Sequence, residues 1–146
     1  MTKPIYALSG PNLNLLGKRE PEIYGTDTLD DIHARMQTRA GTIDVVARQS
    51  NHEGELVDWI QEAKDTACAI ILNAGAYTHT SLAIHDALRA VSIPVIEIHV
   101  SNPAAREAFR HVNHISSVAT ATIAGAGAYG YELAVDAALH MLSGKT

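Results

Sequence analysis

The sequence predicts an α/β fold in which helices cover both faces of one parallel sheet. Along its 146 residues, five short aliphatic segments alternate with segments of helical periodicity. The aliphatic segments lack an alternation of apolar and polar residues, which is typical of strands buried on both faces. Strands that alternate with helices are joined by crossover connections, and these make neighbouring strands parallel. The length fits one domain, residues 1–146.

The elements follow in order from their composition. The predicted strands are Ile5–Leu8, Ile43–Arg48, Cys68–Leu72, Pro94–Val100 and Val118–Ala124. Between them, apolar residues recur three or four positions apart and so lie on one face of a helix. These stripes are Leu29, Ile32, Met36 and Ala40; Leu56, Trp59 or Ile60, and Ala63; Leu82, Ala83, Ala87 and Ala90; and Leu133, Ala137 and Met141.

Residues with capping properties stand at the predicted helix ends. Thr28 precedes Asp31 by three residues, and Ser50 precedes Glu53 by three, which is the spacing of a capping box. Gly144 follows the last stripe and is expected to end the final helix.

Composition argues against several classes of protein. Apolar residues form 47% of the chain, too large a fraction for a disordered segment. The net charge of −5 argues against a nucleic-acid-binding surface. A single cysteine, Cys68, cannot form an internal disulfide. No apolar run approaches the roughly 20 residues of a membrane span, and no signal-peptide pattern is present, so we expect a cytoplasmic protein without a membrane partner.

The segment between the first strand and the first helix interrupts the alternation. Residues 9–27 have no periodicity, and these nineteen residues far exceed a usual βα loop. Long irregular loops in compact domains usually serve as lids or binding loops. This one follows the carboxyl end of a strand, where open α/β sheets bind ligands. We therefore expect an active-site lid around residues 17–25.

Polar residues gather at the same predicted edge of the sheet. Glu97 and His99 are two residues apart and share one face of their strand. Such a pair is costly in a sheet interior unless it is paired or faces a cleft. The full set that we expect to converge there is Asn12, Arg19, Tyr24, Asn73, His79, Glu97, His99 and Ser101.

This set suits acid–base chemistry. An arginine beside a tyrosine stabilises the phenolate, which can remove a proton from carbon. A histidine held by a carboxylate retains its proton and can act as a general acid. Together with neutral amide groups, a base and an acid describe the elimination of water beside a carbonyl, through an enolate. On spacing alone, this elimination is one candidate among several acid–base reactions.

Two other patterns carry less weight. Gly125, Gly127 and Gly130 match the GxGxxG loop, but only sixteen residues follow, and the dinucleotide fingerprint needs a further strand with an acidic residue. We interpret these glycines as a turn that lets the last helix pack closely. The histidines lack the cysteine or carboxylate pattern of a zinc site, and Cys68 is interpreted as a packed thiol.

Several stretches agree with one family in order and spacing over almost the whole chain. They are 10–25 (GPNLNLLGKREPEIYG), 49–54 (QSNHEG), 58–60 (DWI), 72–81 (LNAGAYTHTS), 97–102 (EIHVSN) and 106–110 (REAFR). With them the sequence closely resembles the type II 3-dehydroquinate dehydratases. The resemblance implies a flavodoxin-like three-layer sandwich with strand order 2-1-3-4-5. It implies the reversible dehydration of 3-dehydroquinate to 3-dehydroshikimate, in the shikimate pathway or in quinate breakdown, with no metal or organic cofactor.

The resemblance also implies a role for each site residue. Tyr24 is the base that takes the proton from C2, and Arg19 favours its phenolate. Asn12 holds a water that stabilises the enolate. His99 protonates the departing C1 hydroxyl, and Glu97 positions His99. The implied substrate-binding positions are Asn73, His79, Asp86, Val100, Ser101 and Arg110.

Assembly and one departure complete the resemblance. Family members form dodecamers of four trimers, so a homo-oligomer is expected. Asp86 lies mid-helix, away from the strand ends of its own chain, and its role is expected to depend on a neighbouring subunit. Residues 110–116 (RHVNHIS) depart from the more usual form, which has Ser and an aromatic residue before the Ile-Ser pair. The departure concerns local packing or a subunit contact.

Two alternatives stay open at this point. A flavodoxin-like domain could hold a flavin or nucleotide in the same crevice, although no phosphate-cradling loop follows the first strand. A dehydratase of the unrelated type I kind would need a desolvated lysine for a Schiff base. The four lysines, Lys3, Lys18, Lys64 and Lys145, all occupy polar or terminal settings.

Overall fold

The computed structural model describes residues 2–144 and confirms the predicted α/β class. Five parallel strands form one sheet in the order β2-β1-β3-β4-β5. The strands are β1 (Ile5–Ser9), β2 (Val45–Gln49), β3 (Ala69–Asn73), β4 (Val95–His99) and β5 (Ala121–Ala124). The predicted domain of residues 1–146 also includes residues 1, 145 and 146, which lie outside the described range.

Helices cover both faces of this sheet. Within residues 2–144 they are α1 (Pro21–Tyr24), α2 (Leu29–Ala40), α3 (Glu53–Thr66), α4 (Leu82–Arg89) and α5 (Tyr129–Leu142). Along β1, Ile5 and Ala7 join the core shared with α2 and α5, whereas Tyr6 and Leu8 join the core shared with α3 and α4. Strands β1, β3 and β4 are buried along their whole length, as expected for inner strands covered on both faces. No helix in the described range is long and apolar enough to cross a bilayer.

The predicted helical stripes agree with the structure in part. All four residues of the α2 stripe are buried, and Ile60 rather than Trp59 completes the buried face of α3. The α4 stripe is wrong at Leu82, Ala83 and Ala90, which are exposed, because α4 buries Ile84, Ala87 and Leu88. The α5 stripe is correct only in part, since Ala137 and Met141 pack against the core but are not fully buried. That helix buries Tyr131, Ala134, Val135 and Ala138, because it is apolar on several faces and periodicity does not decide between them.

One predicted cap and one strand boundary need correction. Thr28 and Asp31 form the expected capping box. Ser50 does not cap α3, because its hydroxyl accepts a hydrogen bond from the His52 amide and α3 begins at Glu53. The last strand begins at Ala121 and not at Val118, because Ser116–Val118 form a 3-10 turn that packs against the core under α3 and α4.

The glycine-rich turn before α5 has the predicted packing role. Gly125 and Gly127 have φ values of 88° and 66°, a region that favours glycine. At Gly130, a Cβ would lie 2.5 Å from the Ile98 Cδ1 atom. The turn therefore brings α5 into close contact with β4.

Candidate active site

A pocket opens at the carboxyl edge of the sheet, beside the ends of β1, β3 and β4. Its polar lining consists of Asn12, Arg19, Tyr24, Asn73, His79, His99, Ser101, Arg106 and Arg110. Its other lining residues include Pro11, Leu13, Leu15, Leu16, Ala76, Val100 and Pro103. Three arginines in one pocket suit an anionic ligand, although the whole chain is acidic.

The structure brings most of the predicted site residues to this pocket. Those that line it are Asn12, Arg19, Tyr24, Asn73, His79, His99, Val100, Ser101 and Arg110. Glu97 is not part of the lining and contacts the pocket through His99. Asp86 is exposed on α4 and is not brought to the pocket of its own chain. Residues 2–144 contain no group of three or more His, Cys, Asp or Glu side chains placed to hold a metal ion.

The buried pair Glu97 and His99 forms one side of the pocket. Both lie on β4 and are 1% and 7% exposed, and the His99 Nε2 atom lies 2.5 Å from Glu97 Oε2. Burial alone would raise the pKa of Glu97, but hydrogen bonds from His99, Ser116 and Asn113 outweigh it and lower that pKa to about 2. Glu97 is therefore an ionised acceptor, so His99 Nε2 carries a hydrogen and Nδ1 remains for a ligand.

Three neutral side chains complete the hydrogen bonding of the Glu97 carboxylate. The Asn113 Nδ2 group donates to Oε2 at 2.8 Å, and the Thr122 hydroxyl donates to Oε1 at 2.9 Å. The Ser116 hydroxyl also donates to Oε1. None of these three was predicted as a site residue. The only signal in the sequence was the departure at residues 110–116, which contains Asn113 and Ser116.

The end of β3 fixes the orientation of Asn73. Its Nδ2 group donates to the Tyr131 hydroxyl at 2.9 Å, and its Oδ1 atom accepts from the Gly75 amide at 3.1 Å. Tyr131 is almost fully buried, and burial raises the pKa of its phenol, which stays neutral. With both contacts made, one N–H of Asn73 remains to donate to a ligand.

Tyr24 lies at the end of α1, between two guanidinium groups. The Arg19 Cζ atom lies 5.6 Å from the centre of the Tyr24 ring, and the Arg106 Cζ atom lies 5.4 Å from it. Arg106 also donates to the Ser101 hydroxyl at 3.1 Å. The sequence predicted Arg19 but not Arg106. A usable signal was the spacing of Arg106 and Arg110, two cations four residues apart after the end of β4.

Asn12 has an unusual backbone conformation. Its φ is 68°, a region in which asparagine is enriched among non-glycine residues. Its amide donates to the Asn51 side chain at 3.0 Å, and the Tyr77 hydroxyl donates to the Asn51 carbonyl at 2.7 Å. These bonds hold the start of the long loop against the segment after β2 and place Asn12 at the pocket.

The sheet is flavodoxin-like, and its pocket holds the kinds of side chain that an acid–base enzyme uses. The dehydroquinase class II family matches residues 3–139. The chain is 68% identical to a 3-dehydroquinate dehydratase of Hyphomonas neptunium over 99% of its length and 98% of that protein, and 61% identical to the Phenylobacterium zucineum enzyme of that name over 94% and 97%. The chain belongs to the class II dehydroquinase family.

Solved structures agree with this assignment. A type II dehydroquinase from Propionibacterium acnes superposes with a TM-score of 0.88 at 46% identity, over 93% of this chain and 95% of that one. A type II dehydroquinase from Butyrivibrio crossotus gives 0.90 at 42% identity, over 94% and 98%. Family membership decides against the flavin- or nucleotide-binding module and the type I dehydratase considered from the sequence.

Proposed function

We propose that this chain is a single catalytic domain that dehydrates 3-dehydroquinate to 3-dehydroshikimate through an enolate. Its family supports the reaction. The observation that carries the mechanism is the pairing, in one pocket, of a tyrosine between two cations with a histidine on an ionised carboxylate. The first supplies a base and the second an acid.

Proton removal falls to Tyr24. Its phenolate takes the proton from C2 of the substrate, and the electron pair moves into the C3 carbonyl to form an enolate. The guanidinium groups of Arg19 and Arg106 lie over the ring, and the role assigned to Arg19 is to sit beside the phenolate. Asn12 lines the same pocket and is placed to hold a water against the enolate oxygen.

Loss of water falls to His99. As the enolate re-forms the carbonyl, the C1–O bond breaks, a C1–C2 double bond forms and a proton from His99 Nδ1 converts the leaving hydroxyl to water. The Glu97 carboxylate on Nε2 stabilises the doubly protonated imidazole that this step requires. The proton left on Tyr24 returns to solvent, and His99 is reprotonated.

The remaining polar lining binds the substrate. We assign the backbone amides at Val100 and Ser101 as donors to the substrate carboxylate, and Arg110 lines the same pocket. Asn73 and His79 are assigned to hydroxyl groups. The His79 Nδ1 atom donates to the Val112 carbonyl at 2.7 Å, which leaves Nε2 as an acceptor.

An absorbance assay tests this proposal. Dehydration of 3-dehydroquinate produces a conjugated enone, which absorbs in the ultraviolet. We expect product from the wild-type chain in the presence of a metal chelator, and no adduct when borohydride is added with substrate. Tyr24→Phe and His99→Ala should each slow enone formation by about 10²- to 10⁴-fold while circular dichroism shows an intact fold. An absence of product at high wild-type enzyme concentration, or a trapped adduct, would refute the proposal.

We extend this proposal to a lid, a location and an assembly. Residues 17–25 carry Arg19 and Tyr24 and act as a lid that completes the site. The location is cytoplasmic, and the chain assembles as a dodecamer of four trimers. The position of Asp86 supports self-association, because this predicted substrate-binding residue is exposed on α4 and could contribute only to the pocket of a neighbouring subunit. Sedimentation should give a particle of twelve 15.6 kDa chains, and a monomer would contradict this assembly.

A further inference from the structure

Asn113 stands where the sequence departs from the usual form of the family, in the loop before β5. It does not line the pocket. Its Nδ2 group instead donates to Glu97 Oε2 at 2.8 Å, the same oxygen that pairs with His99. Any effect of Asn113 on the reaction must therefore pass through the Glu97 carboxylate.

The orientation of the Asn113 amide is fixed by its own loop. The Oδ1 atom accepts from the Ile115 amide at 2.7 Å and from the Ser116 amide at 2.9 Å. An oxygen in this position cannot be exchanged with the nitrogen, because an NH₂ group would then face two N–H donors. The Nδ2 group therefore faces Glu97, and it also donates to the Ser116 hydroxyl at 2.9 Å.

The backbone on either side of Asn113 is anchored to the segment around α4. The His79 ring donates to the Val112 carbonyl at 2.7 Å, and the His85 ring donates to the His114 carbonyl at 2.6 Å. The His114 amide donates to the Thr78 carbonyl at 2.9 Å. These contacts hold both neighbours of Asn113, so its side chain is a fixed donor rather than a mobile one.

We propose that Asn113 is a positioning residue for the acid of this reaction. By donating to Oε2 it fixes the plane of the Glu97 carboxylate, and the carboxylate in turn fixes the His99 ring with Nδ1 toward the substrate. The inference rests on the proposed role of His99. Partners that orient the ligands of metal sites typically contribute about tenfold to a hundredfold in affinity or activity, and we expect an effect of that size here.

The test compares Asn113→Ala in two backgrounds. In the wild-type chain we expect kcat to fall about tenfold to a hundredfold with KM changed less than about threefold, because the acid and not the binding groups is disturbed. In a Glu97→Gln background the same substitution should change kcat by less than about twofold, because its effect passes through the Glu97 carboxylate. Asn113→Ser retains a hydroxyl donor and should recover most of the loss.

A matched control separates positioning from loop structure. Asn102 also orders a loop, through an acceptor bond from the Ala104 amide at 3.1 Å, and it makes no hydrogen bond to Glu97. Asn102→Ala should keep kcat within about twofold. Asn113 is exposed, so its replacement opens no core cavity. If Asn113→Ala fails to fold, Asn113→Asp carries the same comparison, because it keeps an acceptor for the Ile115 and Ser116 amides and removes the donor to Glu97.

The outcomes distinguish this inference from the proposed function. If the wild-type chain forms no enone, the proposed function fails and the inference fails with it. If wild type is active and Asn113→Ala keeps its kcat, only the inference fails. An equal kcat loss in the wild-type and Glu97→Gln backgrounds would also overturn it, because the effect would then bypass the carboxylate.

Discussion

The two halves of the pocket are held very differently. Glu97 and His99 lie on a central strand, are almost fully buried, and are fixed by side chains from β5 and the preceding loop. Tyr24 lies on a four-residue helix in the long loop, and the Arg19 side chain is 41% exposed, with a 3.6 Å ion pair to its neighbour Glu20. The scaffold therefore positions the proposed acid, His99, in advance, whereas the position of the proposed base, Tyr24, depends on how the loop lies over the pocket.

The largest expected effects are those of replacing His99 or Tyr24, which should both lower activity but differ in their effect on stability. His99→Ala and Tyr24→Phe should each lower kcat by about 10² to 10⁴. His99→Ala should also lower the free energy of unfolding by about 1–3 kcal/mol, because it removes a buried partner of Glu97. Tyr24→Phe should change it by less than about 0.5 kcal/mol. Urea denaturation checks this, and equal destabilisation would show that the loop is as firmly held as the strand.

The second effect concerns acid pH. The pKa of Glu97 in the folded chain is lowered to about 2, so its stabilisation is complete above the unfolded pKa of about 4.3 and is lost as the pH falls toward 2. The loss should be on the order of 3 kcal/mol. Denaturant unfolding between pH 2 and 6 should show a steep decline in wild type and a flatter one in Glu97→Gln. Parallel curves would contradict the ionised, buried carboxylate.

A third, smaller effect compares the two glycines that bound the loop. Gly17 has φ 86°, and a Cβ there would lie 2.8 Å from the Thr26 carbonyl oxygen. Gly25 has φ 81°, with nothing within 4 Å of a Cβ. Alanine is strained at both positions, by about 1–3 kcal/mol each, so both variants should lose kcat/KM.

Gly17→Ala should lose more than Gly25→Ala, because only Gly17 adds a steric contact to the backbone strain. Steady-state kinetics, with thermal unfolding as the control for global stability, measures the difference. If Gly25→Ala and Gly17→Ala lose kcat/KM equally, backbone strain accounts for the loss and the contact of a Gly17 Cβ with the Thr26 carbonyl does not.

The smallest effect concerns the anchor of the loop on α2. Arg35 donates to both oxygens of Asp27, at 2.6 and 3.2 Å, but the two side chains are 40% and 39% exposed. Asp27→Asn should lower the free energy of unfolding by less than about 1 kcal/mol, and the difference should shrink in high salt. Thermal unfolding at two salt concentrations checks this. A large, salt-independent loss of unfolding free energy would show that the loop is held as firmly as Glu97 and His99.

Alternating strand and helix segments predicted the fold, and the residues that follow the strands predicted most of the pocket. Parallel topology brings the residues after β1, β3 and β4 to one edge, so Asn12, Asn73 and Ser101 could be placed by order alone. Arg106 and Asn113 were missed, because they lie in irregular segments whose path is set by tertiary contacts and not by strand order. The buried face of α5 was mispredicted for a related reason, since a helix that is apolar on several faces has no unique stripe.

The strand order has a consequence for how the chain folds. Strand β1 lies inside the sheet and near the start of the chain, and its Ile5 pairs with Val45 on one side and with Ala69 on the other. During synthesis, almost half of the chain must therefore be made before β3 can pair with the second edge of β1. Such long-range parallel pairing favours slow folding and leaves an aliphatic strand open to aggregation in the interval. The chain should therefore refold with higher yield at low protein concentration.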